Sequence, residues 1–313
     1  MFRRMRVMGI CLTALCSACL GVAVAQSAAP KLVAPEVWFL EGDAAAGYCN
    51  TIVIEMKTYL IVVDPSYPGR TKELVEEIPK LSAKPVKYVF DTHAHGDHAY
   101  GNSLWTKAGA TTLAYVGVRE EMARYEPQRW QMYALKREDL RESGEHAPEP
   151  PKMVFRGNKM VLREGEREVD FLYLGWGHTR GDGWVWLPKE RVLCTGDAAV
   201  NGARNKLWDA NVANWPRVID RAAALKPLVV LPGHGDSGGA EILRGQALFL
   251  RDLYAAVARE VHLHKTILQA TADLKMPGAD ANWVRSDMSQ DVGIVYAEIK
   301  AGKPAGSLPH TWQ

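Results

Sequence analysis

The 313-residue chain carries 38 basic and 36 acidic residues, a formal net charge of +2, and 47% of it is hydrophobic. That balance leaves no basic footprint for nucleic acid, and the apolar mass suits one large domain or one domain with a small appendage. Five cysteines, three of them in the first 19 residues, are too few for a disulfide framework or a thiolate zinc site.

Residues 1–25 place Arg3, Arg4 and Arg6 ahead of an apolar run that ends in Ala23-Val24-Ala25. This is the pattern of a secretory signal peptide cleaved after Ala25. It predicts a periplasmic or secreted protein with no membrane segment after cleavage, since no later stretch has the ~18 apolar residues a span requires. Removing it leaves 35 basic and 36 acidic residues, so the slight basic excess belongs to the export signal. The two remaining cysteines, Cys49 and Cys194, lie in apolar, strand-like runs. Export permits a disulfide between them; buried free thiols fit their surroundings equally well.

The mature chain opens with "VWFLEG", "AGYCNTIVIEM" and "TYLIVVDP", β-branched and aromatic runs that predict a strand meander ending at Asp64 and Pro65. "RTKELVEEIPKLS" has helical spacing and stops near Pro79. "VKYVFDTH" is a short strand. Residues 103–125 predict helix, strand, helix. Residues 126–152 are strongly charged and end in a proline cluster, which predicts a helix and then an exposed loop, either lying over a cleft or simply connecting. "KMVLREGEREVDFLYLGWGHT" and "GWVWLPKERVLCTGDAAV" predict two hairpins, "WPRVIDRAAALK" a helix and "PLVVLPGHGD" a strand. Residues 239–272 predict one long amphipathic helix, on which Leu250, Leu253, Val257, Val261, His264 and Leu268 form an apolar stripe. That stripe puts His264 in the core. His146, His262 and His310 are expected in solvent, and a last helix spans 285–301.

The segment "DTHAHGDH" concentrates three of the nine histidines within six positions. Such a polar cluster is costly to bury without a partner. His93 and His95 alternate and can point the same way, and Gly96 allows a turn that brings Asp97 and His98 to the same cavity. Three further predicted strand ends carry His178, Asp197 and His234. Seven nitrogen and oxygen donors without a thiolate suit zinc, and also iron or manganese. The set is larger than a closed structural site needs, which points to catalysis.

"THAHGDH", followed in order by "GHT", "TGD" and "PGHG", resembles the metallo-β-lactamase-fold hydrolases over roughly residues 36–240. The resemblance implies an α+β fold: an αββα sandwich with its site at one edge of the two sheets. It divides the chain into a signal peptide (1–25), a hydrolase domain (26–240) and a C-terminal helical extension packed on it (241–313). It assigns His93, His95 and His178 to a first zinc ion and Asp97, His98 and His234 to a second, with Asp197 bridging. Asp97 is then the catalytic group that orients the nucleophile or moves a proton, and Asp64 a residue that orients a ligand histidine. The implied reaction is attack of metal-bound hydroxide on the carbonyl of a small-molecule substrate. Dinuclear β-lactamases carry Cys or Ser where this chain has Asp197, and a bridging Asp resembles the thioesterase and lactonase branches. An ester, lactone or thioester is therefore expected. The alternatives are a β-lactam amide, a mononuclear iron persulfide dioxygenase, and a periplasmic accessory protein. Tyr100 and Trp176 are candidate walls of the substrate pocket. Arg204 and Lys206 are candidate partners for a substrate carboxylate, against the plainer reading as surface charge.

Overall fold

The computed structural model describes residues 29–309; the predicted export signal and His310 lie outside them. Among the described residues the chain forms two sheets. The first runs in the order β1 (Lys31–Ala34), β2 (Val37–Leu40), β3 (Thr51–Glu55), β4 (Leu60–Val63), β5 (Val86–Asp91), β6 (Thr111–Tyr115), β7 (Met153–Phe155). The second runs β12 (Val229–Pro232), β11 (Val192–Gly196), β10 (Gly183–Leu187), β9 (Arg167–Tyr173), β8 (Lys159–Glu164). β2 to β4 are the predicted antiparallel meander, β1 adds an antiparallel strand at its edge that was not predicted, and β4 to β7 pair parallel. Parallel pairing needs crossovers. α1 (Pro68–Glu77) supplies the first, and α2 (Gly96–Ala99) with α3 (Asn102–Lys107) the second.

The sheets face each other through apolar side chains, with Ile52, Ile54, Phe90 and Leu113 meeting Phe171, Val185, Cys194 and Leu231. The outer face of the first sheet packs Val62 and Val89 with Leu74 and Trp105 of α1 and α3. The outer face of the second packs Trp184, Trp186 and Leu193 with α6 (Trp215–Ala223), α7 (Glu241–His262) and α9 (Ser289–Ala301). Strands covered on both faces lose their polar alternation, and β4 is buried along its whole length. The layers are therefore the expected αββα. Cys49 and Cys194 are buried free thiols. No helix among the described residues is long and apolar enough to cross a membrane.

Two expectations need correction. Residues 239–272 are two helices, because the chain breaks after α7 and restarts at α8 (Ile267–Asp273), with Thr266 capping the restart through a reciprocal hydrogen-bond pair with Gln269. His264 sits in the break with φ +56° and is exposed, and Leu268 is 81% exposed. The apolar stripe ends at Val261, so His264 is not a core residue. Residues 126–152 are the expected helix followed by a largely exposed segment, but the helix is buried on one side. α4 (Val116–Ala134) runs through Pro127 and buries Glu121, Glu126, Arg129 and Trp130; α5 (Glu138–Arg141) follows, and His146 is in solvent.

Candidate metal centre

The site forms where strand ends of both sheets meet. Asp64 follows β4, the "THAHGDH" loop follows β5, His178 lies between β9 and β10, Asp197 follows β11 and His234 follows β12. The two sheets are tied at this edge by Gly183 N–H to Thr92 O (2.7 Å) and Asn50 N–H to Gly233 O (2.8 Å). The fit is close: a Cβ at Gly233 would stand 2.4 Å from Asp197 Oδ1.

All seven predicted donors are buried together. His95 Nδ1 lies 3.0 Å from His93 Nε2 and 3.1 Å from His178 Nε2. Its other nitrogen, Nε2, is 2.7 Å from an oxygen of Asp209 and so carries the proton. Nδ1 then offers one lone pair to two imidazole nitrogens, which hydrogen bonding alone satisfies poorly. Asp97, His98 and His234 form a second trio, with Asp97 Oδ2 at 3.0 Å from His234 Nε2 and 3.7 Å from His98 Nε2. Asp197 lies between the trios: Oδ1 is 3.3 Å from His98 Nε2 and 3.6 Å from His234 Nε2, while Oδ2 is 3.9 Å from His178 Nε2.

Both Asp197 oxygens and His98 Nε2 are buried without a hydrogen-bond partner. Buried polar atoms are normally paired, and nitrogen and oxygen donors that converge yet remain unpaired are what bound cations satisfy. The residues present therefore fit a metal centre.

The electrostatics agree. Burial, reinforced by the neighbouring imidazoles, holds His93 well below the usual histidine range and lowers His178 to about 3, so both rings stay neutral with lone pairs free. Burial works against ionisation of Asp197, but His234 and His98 outweigh it and keep the carboxylate charged. For Asp97 burial is likewise outweighed, first by Lys206 and then by His98 and His234.

Asp64 lies against a histidine of the second trio. Oδ2 is 2.8 Å from His98 Nδ1 and accepts from Thr92 Oγ1, while Oδ1 accepts from Thr92 N. It holds φ +61° to do so, a strained backbone for a non-glycine residue. The weaker pocket candidates divide. Trp176 is half-buried at the rim, with its indole donating to Asp209 O at 2.9 Å and Arg180 stacked 4.3 Å from its ring. Lys206 is half-buried, its pKa raised chiefly by Asp97, and among the described residues its ammonium has no hydrogen bond or ion pair. Tyr100 is a correction: it is 1% exposed, and its hydroxyl donates to Glu126 Oε2 at 2.6 Å, so it backs the wall and does not face a substrate. Arg204 is exposed.

Several residues here escape sequence reasoning. Asp182 fixes the His178 loop by accepting from Gly177 N, Thr179 N and Thr179 Oγ1. Asp209, Arg129 and Glu126 form a buried charged chain behind His95. Trp208 stands with its ring 6.5 Å from that of His95. None lies in a ligand-spaced motif; the one available signal was the density of charge in 126–129.

Known proteins share both sequence and shape. Residues 44–234 match the family model described as the metallo-beta-lactamase superfamily. The metallo-beta-lactamase type 2 of Bacillus cereus is 28% identical over 215 residues, covering 66% of this chain and 74% of that protein. Metallo-beta-lactamase IND-1 of Chryseobacterium indologenes is 28% identical over 200 residues, covering 62% and 74%. A metallo-beta-lactamase structure from Pontibacter korlensis superposes with TM-score 0.59 at 20% identity, over 72% of this chain and 99% of that one. The DIM-1 metallo-beta-lactamase superposes at 0.56 and 22% identity, over 71% and 96%. With the motif, the layers and the matched majority of its length in agreement, the chain belongs to the metallo-beta-lactamase superfamily of metal-dependent hydrolases.

Proposed function

We propose that the protein is an exported dinuclear zinc hydrolase that opens the carbonyl group of a small ester, lactone or thioester. The observation that carries this reading is Asp197, a buried carboxylate with both oxygens unpaired, one toward each trio of donors. His93, His95 and His178 would hold one ion, Asp97, His98 and His234 the other, and Asp197 would touch both. When bound, two such ions supply Lewis-acid polarisation of a carbonyl and acidification of water.

The chain's own groups do the rest. Asp97, kept ionised by Lys206, His98 and His234, accepts or returns a proton at its carboxylate. Asp64 fixes the ring of His98 through Nδ1. Lys206 presents an unpaired ammonium beside Asp97, where it can receive a negative group of the substrate. Trp176 lines the rim.

A carboxylate between the sites makes no demand for an amide leaving group, and esters and thioesters leave more readily than amines. Ester-type substrates should therefore surpass β-lactams in kcat/KM by ~10-fold or more, about 1.4 kcal/mol of transition-state preference. β-Lactam hydrolysis is the second reading, favoured by the name that the curated relatives carry. A substrate panel decides between them, run on protein beginning at Gln26, the N-terminus expected after export and checked by sequencing the exported protein. Faster turnover of penicillins or carbapenems than of every ester, lactone and thioester would make the second reading correct.

A further inference from the structure

Behind His95 the protein buries three charges that the proposed chemistry does not use directly. Asp209 Oδ2 meets His95 Nε2 at 2.7 Å. Arg129 Nη2 donates to Asp209 Oδ1 at 2.8 Å and Arg129 Nη1 to Glu126 Oε1 at 2.6 Å. Glu126 Oε2 in turn accepts from Tyr100 O–H. Side-chain exposure along this chain is 2% for Asp209, 4% for Arg129 and 1% for Glu126. Burying a guanidinium between two carboxylates is expensive, and apolar residues of similar volume often serve stability as well or better. Stability alone therefore gives α4 little reason to carry Glu126 and Arg129 there.

Geometry gives a reason. His95 presents Nδ1 to the imidazole cluster only while Nε2–H has a fixed acceptor on its far side. Asp209 is that acceptor, and the fork of Arg129 fixes which way its carboxylate faces. Glu126 fixes the fork, and the rigid α4 carries both. The two carboxylates and one guanidinium also leave net negative charge behind the three rings, which favours a cation in front of them.

We propose that Glu126 and Arg129 of α4 are positioning residues for the three-imidazole cluster, acting on His95 through Asp209. The proposal rests on the metal reading above and reaches past it, since α4 contributes no donor to either trio.

The test is zinc affinity, read by competition with a chromophoric chelator, together with the ligand-field spectrum of the cobalt-loaded protein. Asp209→Asn and Arg129→Met should weaken one of the two zinc equivalents about 10- to 100-fold while moving the other less than about 3-fold. The cobalt bands of the weakened site alone should shift. Arg129→Lys, which keeps the charge but loses the fork, should recover part of the loss. If Arg129→Met does not fold, Glu126→Gln carries the same two outcomes at nearly unchanged volume. Wild-type affinity for both equivalents in folded variants would overturn the proposal. So would equal weakening of both equivalents alongside a lower unfolding temperature of the metal-free protein, because that is what mere packing predicts. A wild-type protein that takes up no zinc would sink the metal reading and the inference with it. A wild type that binds two ions beside unaffected variants would sink the inference alone.

Discussion

Asp97→Asn is expected to lower kcat/KM by about 10²- to 10⁴-fold on any substrate the enzyme turns over, the usual range for removing a positioned proton-transfer group. The substitution keeps the volume of a side chain that is only 5% exposed, so it probes charge and proton affinity with little change in packing. Asp97 Oδ2 stands 3.0 Å from His234 Nε2, and its carboxylate is held ionised against burial by Lys206, His98 and His234. An amide in its place can neither take up a proton nor balance the ammonium of Lys206. The loss should fall mainly on kcat. Steady-state kinetics beside elemental analysis separates the two consequences, proton transfer and ion retention. A variant that keeps more than a tenth of the activity would remove Asp97 from the mechanism.

Trp215→Ala should cost about 3–5 kcal/mol of folding stability, the range for truncating a large buried aromatic. Trp215 opens α6, is fully buried, and donates its indole N–H to Ala198 O at 2.8 Å. Its ring lies 5.2 Å from that of His178, and a Cβ at Gly177 would meet its Cδ1 at 2.8 Å. One side chain therefore supports the loop that presents His178 and the turn that follows Asp197. Differential scanning calorimetry should show a fall in Tm on the order of 10 °C. Trp215→Phe, which keeps most of the apolar area and loses the hydrogen bond, should cost about 1–2 kcal/mol. A shift in the alanine variant no larger than in the phenylalanine variant would show that the cavity closes and that Trp215 supports little.

What the sequence made legible follows from the range of the interactions involved. The seven donors were readable because each sits in a short motif whose spacing is set locally, at the end of an apolar run that predicts its own strand. The sandwich was readable through the resemblance carried by those motifs, and the wholly apolar, buried β4 is what covering on both faces produces. Asp64 was readable as a strand-end carboxylate, though not that it would adopt φ +61° and hold both His98 and Thr92. Asp209 was silent: it is 114 positions from His95, in a loop with no ligand spacing, and its pairing exists only once α4 folds beside it. The burial of residues 126–129 was hidden for a related reason. Charge predicts solvent unless a partner of opposite sign arrives from elsewhere, and here Arg129 finds Glu126 nearby and Asp209 80 positions away. Tyr100 misled because its place beside a ligand loop does not say which way the ring turns. The break at 263–266 was hidden because the apolar spacing continues for one more residue, Leu268, than the helix that it describes.

The claim on which the rest depends is that Asp197 joins two metal sites, and elemental analysis of zinc-loaded protein after exhaustive gel filtration tests it most directly. The account predicts two zinc ions per chain, falling to one or fewer in Asp197→Ala with the fold retained by circular dichroism. Saturation of the wild-type protein at one ion, with Asp197→Ala unchanged from it, would contradict a bridging carboxylate and with it the dinuclear hydrolase proposed here.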